Sequence, residues 1–218
     1  CLVGSEMCIR DSINKCLVEL NYKQVSSFSE LTKNDHKKLK NILNVLNAEV
    51  CGSDRWSFLL RKEEITLPKN TCEIQNTIDG RIETVIVDGA KFDYYEDFEK
   101  FFTNAQPMQT YSLFNDKILF PAFDKNKIVE IIYYTKNHAK NAEGKEKYLM
   151  EEDTDSTLIP EPFAEPVLVY GACMRLKGNP QHVRFSYWMS MYRDALANMR
   201  SRVSASIDET PSVKMHRR

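Results

Sequence analysis

Residues 126–137 read NKIVEIIYYTKN, and the way this stretch lies against its surroundings decides the fold. Val129, Ile131 and Tyr133 alternate with Ile128, Glu130, Ile132 and Tyr134. A two-residue period in β-branched and aromatic residues predicts a strand, and apolar residues on both faces predict one covered on most of both sides. A covered strand needs neighbours. RWSFLLRKEEITLP (55–68), RIETVIVDG (81–89) and QTYSLFNDKILFPAF (109–123) supply them, the last folded into a tight hairpin at Asn115-Asp116. YYEDFEKFF (94–102) reads as a short helix with Phe98, Phe101 and Phe102 on one side. The predicted sheet occupies residues 56–137 within a β region of 56–148.

Outside this region the period changes to 3.6. INKCLVEL (13–20) spaces Ile13, Leu17 and Leu20 as a short helix. NYKQVSSFSELTKN (21–34) is a polar connector. DHKKLKNILNVLNAEVCG (35–52) carries a stripe of Leu39, Ile42, Leu43, Leu46 and Val50, with Asn34 or Asp35 as cap and Gly52 as stop. FAEPVLVYGACMRLKG (163–178) puts Phe163, Val167, Tyr170, Gly171 and Met174 on one side, with Pro166 in the first turn. Gly178-Asn179-Pro180 ends it, and residues 180–203 form a long helix striped by Phe185, Trp188, Met189, Tyr192, Leu196, Met199 and Val203. The expected fold class is therefore α+β: a four-helix bundle formed by both chain ends (13–55 and 160–203), an inserted, mainly antiparallel β region (56–148), an acidic loop (149–159) and a flexible C-terminal arm (204–218). No internal repeat is visible.

The opening CLVGSEMCIRDS has a different reading. Leu2 to Asp11 can be written as CTC GTG GGC TCG GAG ATG TGT ATA AGA GAC, one unbroken frame of a transposase sequencing adapter. Residues 1–12 are accordingly expected to be an untrimmed adapter on a metagenomic contig. The native chain then begins near Ile13 with its own start missing.

The composition narrows function. Net charge is −1 over 218 residues, so no global field draws the protein to nucleic acid or a membrane. The apolar runs are too short to span a bilayer, and no signal-peptide core is visible. The six cysteines form no C-x-x-C pair, and the four histidines are dispersed. The scattered cysteines are expected to be buried free thiols in a reducing compartment. No phosphate-binding loop or nucleophile elbow occurs. We therefore expect no metal, no cofactor and no catalytic residues. Glu63-Glu64 and Glu151-Glu152-Asp153 read as solvated carboxylates rather than a glycosidase pair, and Trp56 and Trp188 as core anchors. Arg184, Arg193, Arg200 and Arg202 on the last helix suit either a solvated face or an acidic partner. In the tail, Lys214, His216, Arg217 and Arg218 make a basic end. Interspersed with Ile207, Val213 and Met215, it suits a segment that folds against a partner groove. Taken alone, these features describe an α+β interaction protein without an active site.

INKCLVELNYKQVSSFSEL (13–31) and ILNVLNAEVCGSDRWSFLLRKEEITLP (42–68) resemble the start of tailed-phage head-to-tail adaptors, the tail tubular protein A family of short-tailed phages and its relatives. The likeness lies in a short first helix, a Ser-rich connector, an I-L-N-x-[IL]-N helix and a Trp-initiated strand ending in T-L-P. KILFPAF, IVEIIYYTK, EEDTDSTLIPEPF and VLVYGACMRLKGNP before a long last helix fit the same plan, over most of residues 13–204. The resemblance implies a structural, non-enzymatic virion protein of the neck. Such a protein forms a ring with copies of itself beneath a twelvefold portal, joins the portal protein to a tail nozzle or tube protein, and helps retain packaged DNA. DNA would pass through its channel without sequence-specific binding, and no membrane would be involved. Residues 204–218 would be the portal-binding arm, carried by Ile207, Val213, Lys214, Met215, Arg217 and Arg218. Residues 56–137 would form the distal face, and the loop at 150–157 would lie near a subunit boundary. Another neck or tail-completion protein, or a virion-associated peptidoglycan hydrolase, are the alternatives.

Overall fold

A computed structural model describes residues 7–204 of the chain. The central strand is the one read first. β7 (Lys127–Thr135) lies between β1 (Leu60–Leu67) and β3 (Gly80–Val87), antiparallel to both. β4 (Ala90–Tyr94), β5 (Thr110–Phe114), β6 (Lys117–Leu119) and β2 (Glu73–Gln75) complete a nearly closed seven-stranded sheet of order β1-β7-β3-β4-β5-β6-β2. Asn115 (φ 46°) and Asp116 (φ 57°) form the expected hairpin turn between β5 and β6, both in the left-handed region that a two-residue hairpin requires. Asp88 (φ 47°) and Gly89 (φ 82°) turn β3 into β4 in the same way. β4 and β5 run parallel, so a crossover must join them, and the short helix α3 (Glu99–Phe102) lies within it.

The helices are α1 (Ile9–Glu19), α2 (Asn34–Gly52), α4 (Gly171–Lys177) and α5 (Phe185–Val203). Gly178, at φ 52°, stops α4 as the sequence requires. α2 begins after Lys33 without a side-chain cap, so neither Asn34 nor Asp35 takes that role. Three two-residue strands, β8 (Ala139–Lys140), β9 (Glu146–Lys147) and β10 (Ser156–Thr157), form a separate small sheet.

Two apolar cores result. Ile13, Leu17, Leu39, Leu43, Leu46 and Trp188 belong to the first, with Trp56 sealed in by an indole N–H donated to the Val50 carbonyl at 2.6 Å. Leu67, Val85, Ile118, Phe120, Val129 and Ile131 belong to the second, inside the sheet. β7 serves both. Val129 and Ile131 face the sheet core, while Tyr134 enters the helical core. Its second face is covered only there, and Ile128 remains 48% exposed.

The four-helix bundle with an inserted β region is overturned by this arrangement. The large sheet dominates the fold, and the helices do not form a bundle. The physical reason lies in the sheet, which closes around an apolar core of its own, with Leu67, Val85, Ile118, Phe120, Val129 and Ile131, and so is not an insert resting on the helices. The third helical segment is one continuous run over 164–177, α-helical except for a π-helical stretch at Pro166–Tyr170. Residues 7–12, assigned above to an adapter, have a place in the fold: α1 starts at Ile9, and Ile9 and Ser12 are fully buried. The codon reading concerns where these residues come from.

Gly171 is where three helices meet. A Cβ there would lie 2.6 Å from Leu46 Cδ2 and 3.0 Å from the Tyr192 ring. Gly171→Ala should therefore overpack the joint of α2, α4 and α5 and lower stability by about 1–3 kcal/mol. The check is a lower urea midpoint at an unchanged denaturant slope.

Candidate interaction surfaces

His36 and His138 are buried, and neither ring nitrogen of His36 nor Nδ1 of His138 meets a hydrogen-bond partner. Burial also pushes the His138 pKa down, which favours the neutral ring. His182 stacks on Trp188 at 5.1 Å, and the Trp188 indole donates to Glu19 at 3.1 Å. Cys16, Cys51 and Cys173 are buried free thiols. Burial raises Cys51 to about 12, and the neighbouring Cys173 thiol together with burial raises Cys16 well above its ordinary value, so both stay protonated and unreactive. Among the described residues, no group of three or more His, Cys, Asp or Glu is placed to hold a metal ion, and no helix is long and apolar enough to cross a membrane.

The four arginines of the last helix do not act together. Arg184 donates to the Glu19 carbonyl at 2.6 Å and pairs with its carboxylate at 3.3 Å. Arg200 pairs with Asp54 at 3.2 Å. Arg193 and Arg202 are exposed and make no ion pair among the described residues. Nine residues apart, they point to faces about 180° apart on a helix. Arg202 borders a shallow groove of about 270 Å³ with Pro162, Pro166 and Met191. The arm residues Ile207, Val213, Lys214, Met215, Arg217 and Arg218 lie outside the described residues. The chain leaves them at Ser204, which bridges to Trp56 in antiparallel fashion.

The sheet carries two features that sequence reading missed. Phe114 stacks on Phe98 at 4.6 Å and meets Phe102 edge-on at 5.5 Å, and Phe102 stays 57% exposed. Met108, in the same crossover, is 88% exposed. Of the aromatic side expected on α3, Phe101 turns instead into the protein. The other feature is an open cleft of about 880 Å³ where the sheet meets the last turn of α2. Tyr94, Tyr111 and Leu113 line it together with Asn76 and residues 78–83. The Asp-Gly turn was the visible signal for the β3–β4 hairpin that borders it.

The acidic loop is partly a buried joint. Glu151 and Glu152 are exposed as expected. Asp153 accepts the Phe28 N–H at 3.2 Å, and Asp155 is completely buried. Asp155 Oδ2 accepts the Glu151 and Glu152 N–H groups at 2.6 and 2.8 Å and the Lys147 ammonium at 2.8 Å, while its carbonyl accepts the Ile9 N–H at 2.8 Å. Burial pushes its pKa up, but the Glu152 N–H, the Lys147 ammonium and the Glu151 N–H outweigh it, and the net shift is downward.

A folded-state pKa below the unfolded value near 3.9 means that the stabilisation is complete above about pH 4 and fades as pH falls through the folded value. Asp155→Asn should cost about 2–4 kcal/mol at pH 7, since it leaves Lys147 without its buried partner. In urea melts, the gap between wild type and variant should shrink below about pH 4. Neither a family model nor a curated protein sequence matches this chain.

Proposed function

We propose that the chain is a structural virion protein: a head-to-tail adaptor that forms a ring between portal and tail nozzle or tube and helps retain packaged DNA. The observation that carries this reading is that one rigid ladder joins two separately built cores, each with its own exposed contact surface. A connector needs two such faces. The helical layer offers Arg202, beside the groove of Pro162 and Pro166, and the exit of the tail at Ser204. The sheet offers the Phe98–Phe102–Phe114 cluster with Met108, an apolar surface of the kind that marks contact with another protein. The segment resemblance over residues 13–204 supplies the identity of the two partners.

In this reading the helical layer and residues 204–218 contact the portal protein, and the sheet contacts the tail component. Neighbouring copies close a ring by heterologous contacts. The protein performs no catalysis and reads no DNA sequence, and a net charge of −1 suits a channel wall that does not hold passing DNA. Its place is the neck of the virion.

The test is reconstitution with portal and tail proteins from the genome that carries this gene, where such genes are found. The full chain should cosediment with the portal and appear as a ring beneath it by electron microscopy. Removal of residues 205–218, which spares the Ser204 contacts, should abolish portal binding while the truncated chain still folds and melts cooperatively. Phe102→Glu should leave portal binding intact and weaken tail binding at least about tenfold, the loss of one buried aromatic anchor. Failure of the full chain to bind either protein would refute the adaptor reading.

A further inference from the structure

The sheet is split along one of its own strands. β3 pairs with β7 along its whole length, from Gly80 to Val87. On its other side β4 pairs only with Val85, Ile86 and Val87. Beyond Phe92, β4 turns away and pairs with β5 through Asp93 and Tyr94. The register of β3 shifts between Ile82 and Thr84, and such a bulge bends a strand and re-aims its edge. Residues 80–84 therefore have β7 on one side and the cleft on the other. Alternate residues of a strand turn their N–H and C=O to opposite sides, so this stretch of about 17 Å presents to the cleft backbone groups that have no partner among the described residues. Gly80 fixes its position, because a Cβ there would collide with the Tyr134 carbonyl oxygen. An open strand edge in a groove is a template for an added strand.

We infer that this edge is a strand-addition site and that its occupant is residues 205–218 of the same chain, laid into the cleft between β3 and the Tyr94–Tyr111 wall. Three observations select this occupant. The chain leaves the described structure at the cleft: Ser204 Oγ bonds Asp54 at 3.4 Å, and Asp54 lines the cleft. The antiparallel bridge of Ser204 to Trp56 already runs in the required direction, since its continuation passes Arg55 and Asp54. The fourteen residues beyond would reach about 46 Å if extended, well past the far end of residues 80–84.

The segment also has strand character. Val213 and Met215 alternate with Lys214 and His216, which gives one apolar and one basic face. The cleft offers Tyr111 and Leu113 to the first. Asp79 and Glu83 also line it, but Lys136 pairs with the one and Arg55 and Arg81 with the other, so charge does not select the occupant. This inference is independent of the adaptor reading, because the edge and the exit point exist whatever the protein joins. A tail held in this way is withheld from any partner until the partner displaces it.

Backbone hydrogen exchange at residues 80–84 tests the inference with this protein alone. In the full chain these amides should exchange at least about tenfold more slowly than in Val213→Asp/Met215→Asp, whose substitutions leave the described residues unchanged. A synthetic peptide of residues 205–218 should restore protection to the double variant. The protection should be the same at all protein concentrations. Equal exchange in the two chains would overturn the proposal, as would a peptide that restores nothing. Protection that rises with protein concentration would place a second copy's segment in the cleft and would overturn it equally.

Discussion

The β1–β7 ladder is the constraint on which the rest of the structure depends. It runs from Leu60 opposite Tyr134, both packed into the helical core, to Leu67 opposite Lys127, with Leu67 and Val129 in the sheet core. A slip of one residue would turn every side chain of either strand to the wrong face. Such a slip would expose Val129 and Ile131 and withdraw Tyr134 at once. Both cores therefore enforce the same register, and the register in turn fixes the distance and orientation between the cores. The Arg61–Glu146 ion pair at 2.5 Å, with Glu146 also accepting from Thr135, ties the small three-stranded sheet to the same ladder.

Much of the secondary structure was legible where periodicity was long and turn chemistry explicit. The stripe of α2, the alternation of β7 and the Asn115-Asp116 turn are of this kind. The architecture was not. β2 has three residues, and β8, β9 and β10 have two, too few for a two-residue period to register. The parallel pairing of β4 with β5 spans only two residue pairs and leaves no local signal. Residues 163–178 have helical spacing and are helical over 164–177, but the π-helical stretch at Pro166–Tyr170 within that run leaves no mark in the pattern of apolar residues.

The candidate surfaces were less legible still, because each depends on who neighbours whom. Four arginines on one helix look like a cluster in sequence. Glu19 and Asp54 claim Arg184 and Arg200, and the other two lie on opposite faces. Asp155 reads as one more acid in an acidic run, yet it is a buried acceptor for two backbone N–H groups and an ammonium. The aromatic cluster joins Phe98 and Phe102 to Phe114 across a crossover, a contact between parts of the chain that sequence alone does not bring together. A nearly neutral chain thus spends much of its charge internally and leaves apolar surface outside.

The two cores also differ in how far apart along the chain their parts lie. The sheet core is drawn from residues 65–133, while the helical core needs Ile9 and Ile13 together with Trp188 and Met199. On a ribosome the sheet core is complete before α5 has been made. The helical core is not, and α1 and α2 must wait with their apolar stripes uncovered. Synthesis therefore imposes an order, sheet before helices, in which the early helices are the natural clients of a chaperone and the closing step is the arrival of Trp188 beside Glu19.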